Sequence, residues 1–398
     1  MNRRRIVMKK ISKIIAMVLS VAFALALITA CGGGGTPQPA PGGSAAAGGS
    51  GTAGSGGASG SATPAVVYGE YTGPEMTLEV NLSSSLANAA YLGDAFDRIT
   101  ARTDGKVKFN ITEYSGLLDT ASALEGLGTG VADISDLTLS NYPESFVYTT
   151  QMCAQPFMGF KDIDSANDII REVIIKNPDD IMTQEFTSQN VKPLMTAAVF
   201  GTSLFLAKDT PIAAPTDLKG LKIMTDDQVL SQFINEQSGA AMQLDIMNMG
   251  SNMRNGVADG VFIAQNVGEI FGADEETKAL YTFPVDLSTH IKTTSINLDR
   301  WNSFDDTLKN IFNEELGDDM YKEYIDWVDM MEAKRHDKFD ANTDMHQYIL
   351  PEDQIPAWQS AIKPFTDAQL AELAPTHPDL DKANQIWRDA IDSYYASH

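Results

Sequence analysis

The residues able to do chemistry are scattered along this 398-residue chain rather than grouped. Its five histidines, His290, His336, His346, His377 and His398, form no HExxH pair and have no cysteine at a metal-ligand spacing. A zinc site therefore has no support. Asp340, Asn342 and Asp344 imitate the opening of a calcium loop, but Met345 stands where the turn needs glycine and Pro351 where the closing carboxylate belongs. A solvated helix end is the better reading. There is no phosphate-binding P-loop, and GxGxxG spacing occurs only where glycine is compositional. Without geometry, no serine can be matched to a histidine and an aspartate as a nucleophile. The expectation is a protein that is not an enzyme and uses no cofactor or metal. The most informative stretch is DLKGLKIMTDD, Asp217 to Asp227. It reads as a turn, a short buried strand ending at Met224, and then two carboxylates facing something wet.

The location of the chain decides what such a strand end could hold. Arg3, Arg4, Arg5, Lys9, Lys10 and Lys13 precede an apolar run from Ile14 to Ile28, which is the layout of a secretory signal over residues 1–30. Ile28-Thr29-Ala30-Cys31 resembles a bacterial lipobox, in which Cys31 becomes the lipidated N-terminus. Buried acyl CH₂ groups contribute about 0.8 kcal/mol each, so two or three chains make a firm tether. Residues 31–64 are almost entirely Gly, Ala, Ser, Thr and Pro, and form a flexible leash with a reach of roughly 30 Å.

The six bases of residues 1–30 come off a formal charge of −24, leaving −30 on the rest. Nucleic acid and anionic lipid are poor partners for so acidic a body. Cys153 is the only cysteine after Cys31, so an intramolecular disulfide within the body is excluded. About 330 residues remain, enough for two α/β lobes without covalent staples.

The body repeats its own ingredients. Strands are expected at Met76–Leu82 and Lys106–Tyr114, separated by a helix through Arg102. A second helix then runs into Gly130-Val131-Ala132-Asp133 and an aliphatic strand. Farther on, DLKGLKIM reads as a strand, Asp227 to about Gln237 as a helix and AMQLDIM as a strand. Gly256-Val257-Ala258-Asp259 again opens an aliphatic strand. Strand–helix–strand alternation argues for βα units, and two such lobes imply a cleft. A long helix is expected from Ser303 to about Arg335, with shorter helices after Pro351 ending in Ala383–Tyr395.

Four ordered segments carry a family likeness. Thr210-Pro211-Ile212 followed by Asp217-Leu218-Lys219-Gly220-Leu221-Lys222-Ile223 resembles the "DLKGLKiR" segment of solute-binding proteins of tripartite ATP-independent periplasmic (TRAP) transporters, the DctP-like family. Gly256-Val257-Ala258-Asp259-Gly260 is similar to its "GvvDG", Ile296-Asn297-Leu298-Asp299-Arg300-Trp301 to its "iN…W", and Gln155-Pro156-Phe157 to its "lPF". The resemblance implies an α/β, two-lobed periplasmic-binding-protein-like fold with crossing hinge strands and a long helix spanning both lobes. Lobe 1 would cover residues 76–202, completed by C-terminal segments. Lobe 2 would cover 203–297, and the spanning and C-terminal helices 303–395.

It further implies a monomeric extracytoplasmic receptor, here lipid-anchored to the cell membrane. Such a receptor closes on a small solute and passes it to integral membrane permease subunits. A sensory module for a membrane kinase and a lipid-anchored enzyme using the cleft are the alternatives. In the family, the residue after "GLKi" is usually an arginine that grips a carboxylate, and here it is Met224. Methionine supplies no donors, so a simple monocarboxylate held by that clamp is not expected. The cleft candidates are Ser84, Asn88, Asp136 and Phe157 from the first lobe, and Phe205, Met224, Asp226, Gln265, Asn266 and His290 from the second. The set leans acidic and suits a neutral or cationic solute. Phe157 and Phe205 are of a type that is ordinarily core, Asp226 stands where a helix cap is expected, and His290 lies in a strand. Each of these four has a structural alternative.

Overall fold

The computed structural model describes residues 70–86 and 89–398, all within a compact unit that spans Pro64–His398. The signal, the lipobox with Cys31, the whole Gly-rich stretch of residues 31–64 and Asn88 lie outside the described residues.

The first sheet is built from alternating strands. In β1 (Met76–Asn81) Leu78 and Val80 point to one buried face, and β1 pairs in parallel with β2 (Val107–Thr112) and β3 (Ile134–Thr138). Strand β4 (Val191–Val199) lies at the far side, and β10 (His290–Asn297) runs antiparallel between β3 and β4, giving the order β2-β1-β3-β10-β4. The second sheet, β11-β9-β5-β8-β6-β7, has β6 (Lys222–Thr225) parallel to β7 (Ala240–Gln243) and β8 (Gly260–Ala264). β5 (Thr202–Leu206) runs antiparallel to β8 and to β9 (Ala279–Thr282), and β11 (His346–Ile349) forms the edge. Each lobe thus combines parallel βα strands with an antiparallel strand that arrives from the other lobe. Since β10 bonds to β3 and β4, residues 290–297 belong to the first sheet. The expected second lobe of 203–297 extended too far, because an antiparallel return strand is assigned by the partners it meets and not by its own pattern.

The repeated Gly-Val-Ala-Asp does the same work in both sheets. Gly130 and Gly256 take φ of +80° and +68°, a left-handed turn that glycine adopts without a Cβ penalty. Asp133 then accepts a hydrogen bond from the Glu79 N–H at 2.9 Å, and Asp259 one from the Lys222 N–H at 3.0 Å. Each aspartate pins the neighbouring parallel strand in register.

The helices cover the sheets. α1 (Ala90–Arg102) buries Leu92, Phe96 and Ile99, and α2 (Ala123–Gly128) buries Leu124 and Leu127. α3 (Ile163–Arg171) and α4 (Asp180–Ser188), capped by Asp162 and Asp179, pack under β4. In the second lobe, α5 (Gln228–Glu236), α6 (Met249–Arg254) and α7 (Gln265–Ile270) follow β6, β7 and β8. The expected single helix from Ser303 instead begins as a short α8 (Leu298–Asn302). It restarts at the Asp305 cap as α9 (Asp306–Phe312), passes through a π stretch at Asn313–Asp319, and continues as α10 (Met320–Ala341). Asp305 fixes the restart by accepting from the Leu308 N–H at 2.8 Å. Met320, Tyr324 and Val328 sit in the first-lobe core and Phe339 in the second, so the helix spans both lobes. α11 (Ile355–Leu373) completes the second core through Trp358 and Ile362, and α12 (Leu380–Ser397) the first through Trp387 and Ile391.

Candidate functional site

In open α/β sheets ligands bind beyond the carboxyl ends of the parallel strands. Here those ends are Asn81, Thr112 and Thr138 in one lobe and Thr225, Gln243 and Ala264 in the other. Two strand-to-strand connections cross between the sheets: Phe200-Gly201, joining β4 to β5, and residues 283–289, joining β9 to β10.

The first-lobe wall centres on Asp136. Its Oδ1 accepts from the Ser83 N–H at 2.6 Å and its Oδ2 from the Ser83 hydroxyl. Lys292 lies on the neighbouring strand β10, one alternation toward the crossing. Its Nζ is 3.7 Å from Asp136 Oδ2, and its side chain is 36% exposed against 10% for Asp136. At 3.7 Å the ammonium has an ionic neighbour but no hydrogen bond. Tyr91, in the first turn of α1, stands edge-on to Tyr324 with ring centroids 5.5 Å apart. Burial, and then the charge of Asp136, push its phenol above the ordinary range. Ser84 is half-buried beside this group.

The second-lobe wall grows from the DLKGLKIMTDD stretch. Asp217 accepts from the Ala213 and Ala214 N–H groups, Leu218 is buried, and Gly220 turns at φ +79° into β6. After Thr225 the chain leaves the sheet. Asp227, not Asp226, caps α5, accepting from the Leu230 N–H at 2.8 Å. Burial pushes the Asp227 carboxyl up, with Asp226 adding to the rise and His290 opposing it. Asp226 stays exposed, and with Thr225, Asp227, Gln228 and Gln243 it lines a depression of about 220 Å³ at the ends of β6 and β7. A larger groove, about 850 Å³, lies between α3 and α12 and no strand-end residue lines it.

His290 begins β10 at the crossing. Its Nε2 is 3.4 Å from the Ser288 hydroxyl, while its Nδ1 is enclosed with no hydrogen-bond partner among the described residues. Gln265 donates to the Ser203 hydroxyl at 3.0 Å, and Asn266 is exposed beside it. The three apolar candidates are packed inside the second lobe. Met224 is 1% exposed among Val261, Met249 and Met253, its sulfur 3.9 Å from the Asn252 amide. Phe205 is fully buried with its ring against Gly268, and Phe157 lies 6.0 Å from the Phe283 ring.

Sequence reasoning missed Lys292, Tyr91 and Asp286. The alternation of His290, Lys292 and Thr294 along one strand face was the signal that could have found the lysine. Asp286 is the buried knot of the crossing. It accepts from the Thr202 N–H at 2.9 Å and the Thr289 hydroxyl at 2.6 Å, while its own backbone bonds Phe157 and Phe160.

A family model for bacterial extracellular solute-binding proteins, family 7 (DctP), matches residues 88–373. The chain belongs to that family. Solved structures of TRAP solute-binding proteins share the fold of this receptor. One, from Desulfovibrio salexigens, is 18% identical, with 81% of this chain and 97% of that one covered at a TM-score of 0.67. Another, from a marine metagenome and specific for aromatic acid ligands, was solved with metahydroxyphenylacetate; it is 18% identical, with 80% and 99% covered at 0.67. A third, from Rhodoferax ferrireducens and holding copurified benzoate, is 16% identical, with 81% and 99% covered at 0.66. Likeness at this identity establishes the two-lobed fold of the receptor, not its solute. Among the described residues of this solute-binding protein, no helix is long and apolar enough to cross a membrane, and no cluster of His, Cys, Asp or Glu is arranged to hold a metal ion.

Proposed function

We propose that this solute-binding protein is a membrane-tethered extracytoplasmic receptor that closes its lobes on a small molecule and delivers it to a TRAP-type secondary transporter. The observation that carries the reading is the pairing of two polar strand-end walls, Ser83 and Asp136 in one sheet and Thr225, Asp226 and Asp227 in the other, across two crossing segments. The tether is the lipidated Cys31. In the family pattern an arginine grips the solute, but position 224 holds a methionine. The other arginines at issue are engaged elsewhere: Arg254 with Glu276, Arg102 with Glu314 and Glu315, Arg171 with Asp318, and Arg300 with Asp133. With Met224 enclosed and these four arginines paired, none of these positions offers a free guanidinium to clamp a simple monocarboxylate. The acid-leaning walls, with Asp136, Asp226, Gln265, Asn266 and His290 among their residues, favour a solute with neutral or positive polar groups.

The test is a thermal-shift screen of acids, amines, sugars, aromatics and amino acids. A true solute at a hundred times its Kd stabilises the folded state by about 2.7 kcal/mol and raises Tm in proportion. A flat response across the whole screen would remove the receptor reading. Replacing Cys31 with alanine is expected to release the protein from the membrane fraction.

A further inference from the structure

We propose that the solute is a zwitterion, an amino acid or a betaine, whose carboxylate is held by Lys292 and whose cationic group faces Asp226. This rests on the receptor reading above and deepens it.

Lys292 is the decisive side chain. An ammonium has three donors and no acceptor, and this one makes no hydrogen bond among the described residues, only a 3.7 Å ionic contact to Asp136. Asp136 does not need it, because both of its oxygens already accept from Ser83. The lysine is held by a strand between β3 and β4, with its side chain on the Asp136 face at the carboxyl end of β3. Closing the lobes over it would desolvate a cation with unfilled donors, which is costly unless an anion arrives with the solute. A carboxylate is the small anion that an ammonium at hydrogen-bond distance would hold.

A bare carboxylate is disfavoured by the rest of the site. Against this ammonium stand Asp136 on the first wall and Asp226 and Asp227 on the second. Asp227 spends an oxygen on the α5 cap, whereas Asp226 is exposed at the depression and makes no cap. A monoanion would meet a net negative surround, and a monocation would leave Lys292 unfilled. A solute carrying both charges answers both walls. Its positive end belongs on the second lobe, so the two charged ends would also draw the lobes together.

The experiment is calorimetric titration of the mature chain at pH 7 with leucine and phenylalanine, each beside its matched amine (isopentylamine, phenethylamine) and its matched acid (4-methylpentanoate, 3-phenylpropionate), and with glycine betaine beside choline. At least one zwitterion is expected to bind tenfold or more tighter than its two singly charged counterparts. Lys292→Met is expected to weaken that zwitterion at least tenfold while leaving its matched amine unchanged, and Lys292→Arg to retain most of the binding. Asp226→Asn is expected to weaken the zwitterion and not the matched acid. Thermal melts of each variant separate loss of binding from loss of fold. An acid that binds as tightly as its amino acid, or a folded Lys292→Met that binds the zwitterion normally, overturns the proposal. If a sugar or a singly charged solute raises Tm and no zwitterion does, the receptor reading stands and the zwitterion falls. If nothing in either screen binds, the receptor reading falls as well.

Discussion

Replacing Asp286 with asparagine should flatten the pH dependence of stability. The carboxyl is enclosed where the two crossings meet, and burial pushes its pKa up to about 7 in spite of the donors from Thr289, Thr202, Gly201 and Leu287. An exposed aspartate titrates near 3.9. The folded state therefore keeps a proton that the unfolded chain has already released between about pH 4 and 7. That favours folding at low pH, and the contribution is lost as pH rises through 7. A shift of about three units at 1.4 kcal/mol each gives roughly 4 kcal/mol in all, of which about 2.5 kcal/mol falls between pH 5 and 8.

Glu185 is a second group of the same sign. It accepts from the Tyr148 and Thr149 N–H groups, and burial raises it to about 7. Asp179 and Asp318, held low chiefly by hydrogen bonds from Lys382 and Lys176, contribute stability that is lost only as pH falls below the ordinary carboxylate range, so they do not enter this window. Urea unfolding at pH 5, 6, 7 and 8 is the assay. The native protein should lose stability steadily from pH 5 to 8, and Asp286→Asn should remove about 2.5 kcal/mol of that fall. The asparagine turns an N–H toward donors and so costs stability at every pH; the slope, not the level, is the readout. A variant with the native slope, or a native protein that gains stability from pH 5 to 8, would refute the reasoning.

Met224→Arg should cost about 3 kcal/mol or more in urea unfolding, because the guanidinium would be enclosed by Met249, Met253 and Val261 with only the Asn252 amide near it, whereas Met224→Leu should stay within about 1.5 kcal/mol. A fully stable arginine variant would mean that the side chain reaches water and that the burial argument is wrong. Replacing Arg98 and Arg102 together with methionine should cost about 3–5 kcal/mol, since Glu315, 5% exposed and bonded to both at 2.5 and 2.9 Å, would keep a buried charge with neither partner. A loss under about 1 kcal/mol in the same assay would show that water already reaches Glu315.

The fold was legible because its signals are local and repeated. The period-2 burial of Leu78 and Val80, the Gly-Val-Ala-Asp turns and the Asp217–Gly220 turn each force one conformation regardless of what packs on top. Membership of β10 in the first sheet was not legible, because an antiparallel return strand is chosen by the partner it meets and not by its own pattern. The same limit applies to the site. Asp136 lies inside β3 rather than past its end, whereas Asp226 directly follows β6. Met224, also at a strand end, belongs to the face that α6 covers, and an alternation fixes which residues share a face without saying which face is roofed.

That limit explains why the missing arginine is a poor guide to the solute and why the inference above rests on Lys292 instead. A substitution at one motif position removes a donor only if the side chain there faces the gap, and the thioether does not. Lys292 lies just past the crossing segment, near the start of a strand held in the first sheet by β3 and β4. On the proposed closure, a cation so placed would stay beside Asp136 with the lobes apart and lose its water when they meet. Its lack of hydrogen bonds is tolerable in the first state and costly in the second. In the proposed receptor, closure would then be coupled to an arriving anion through the desolvation of one ammonium, without any need for a guanidinium in the second lobe.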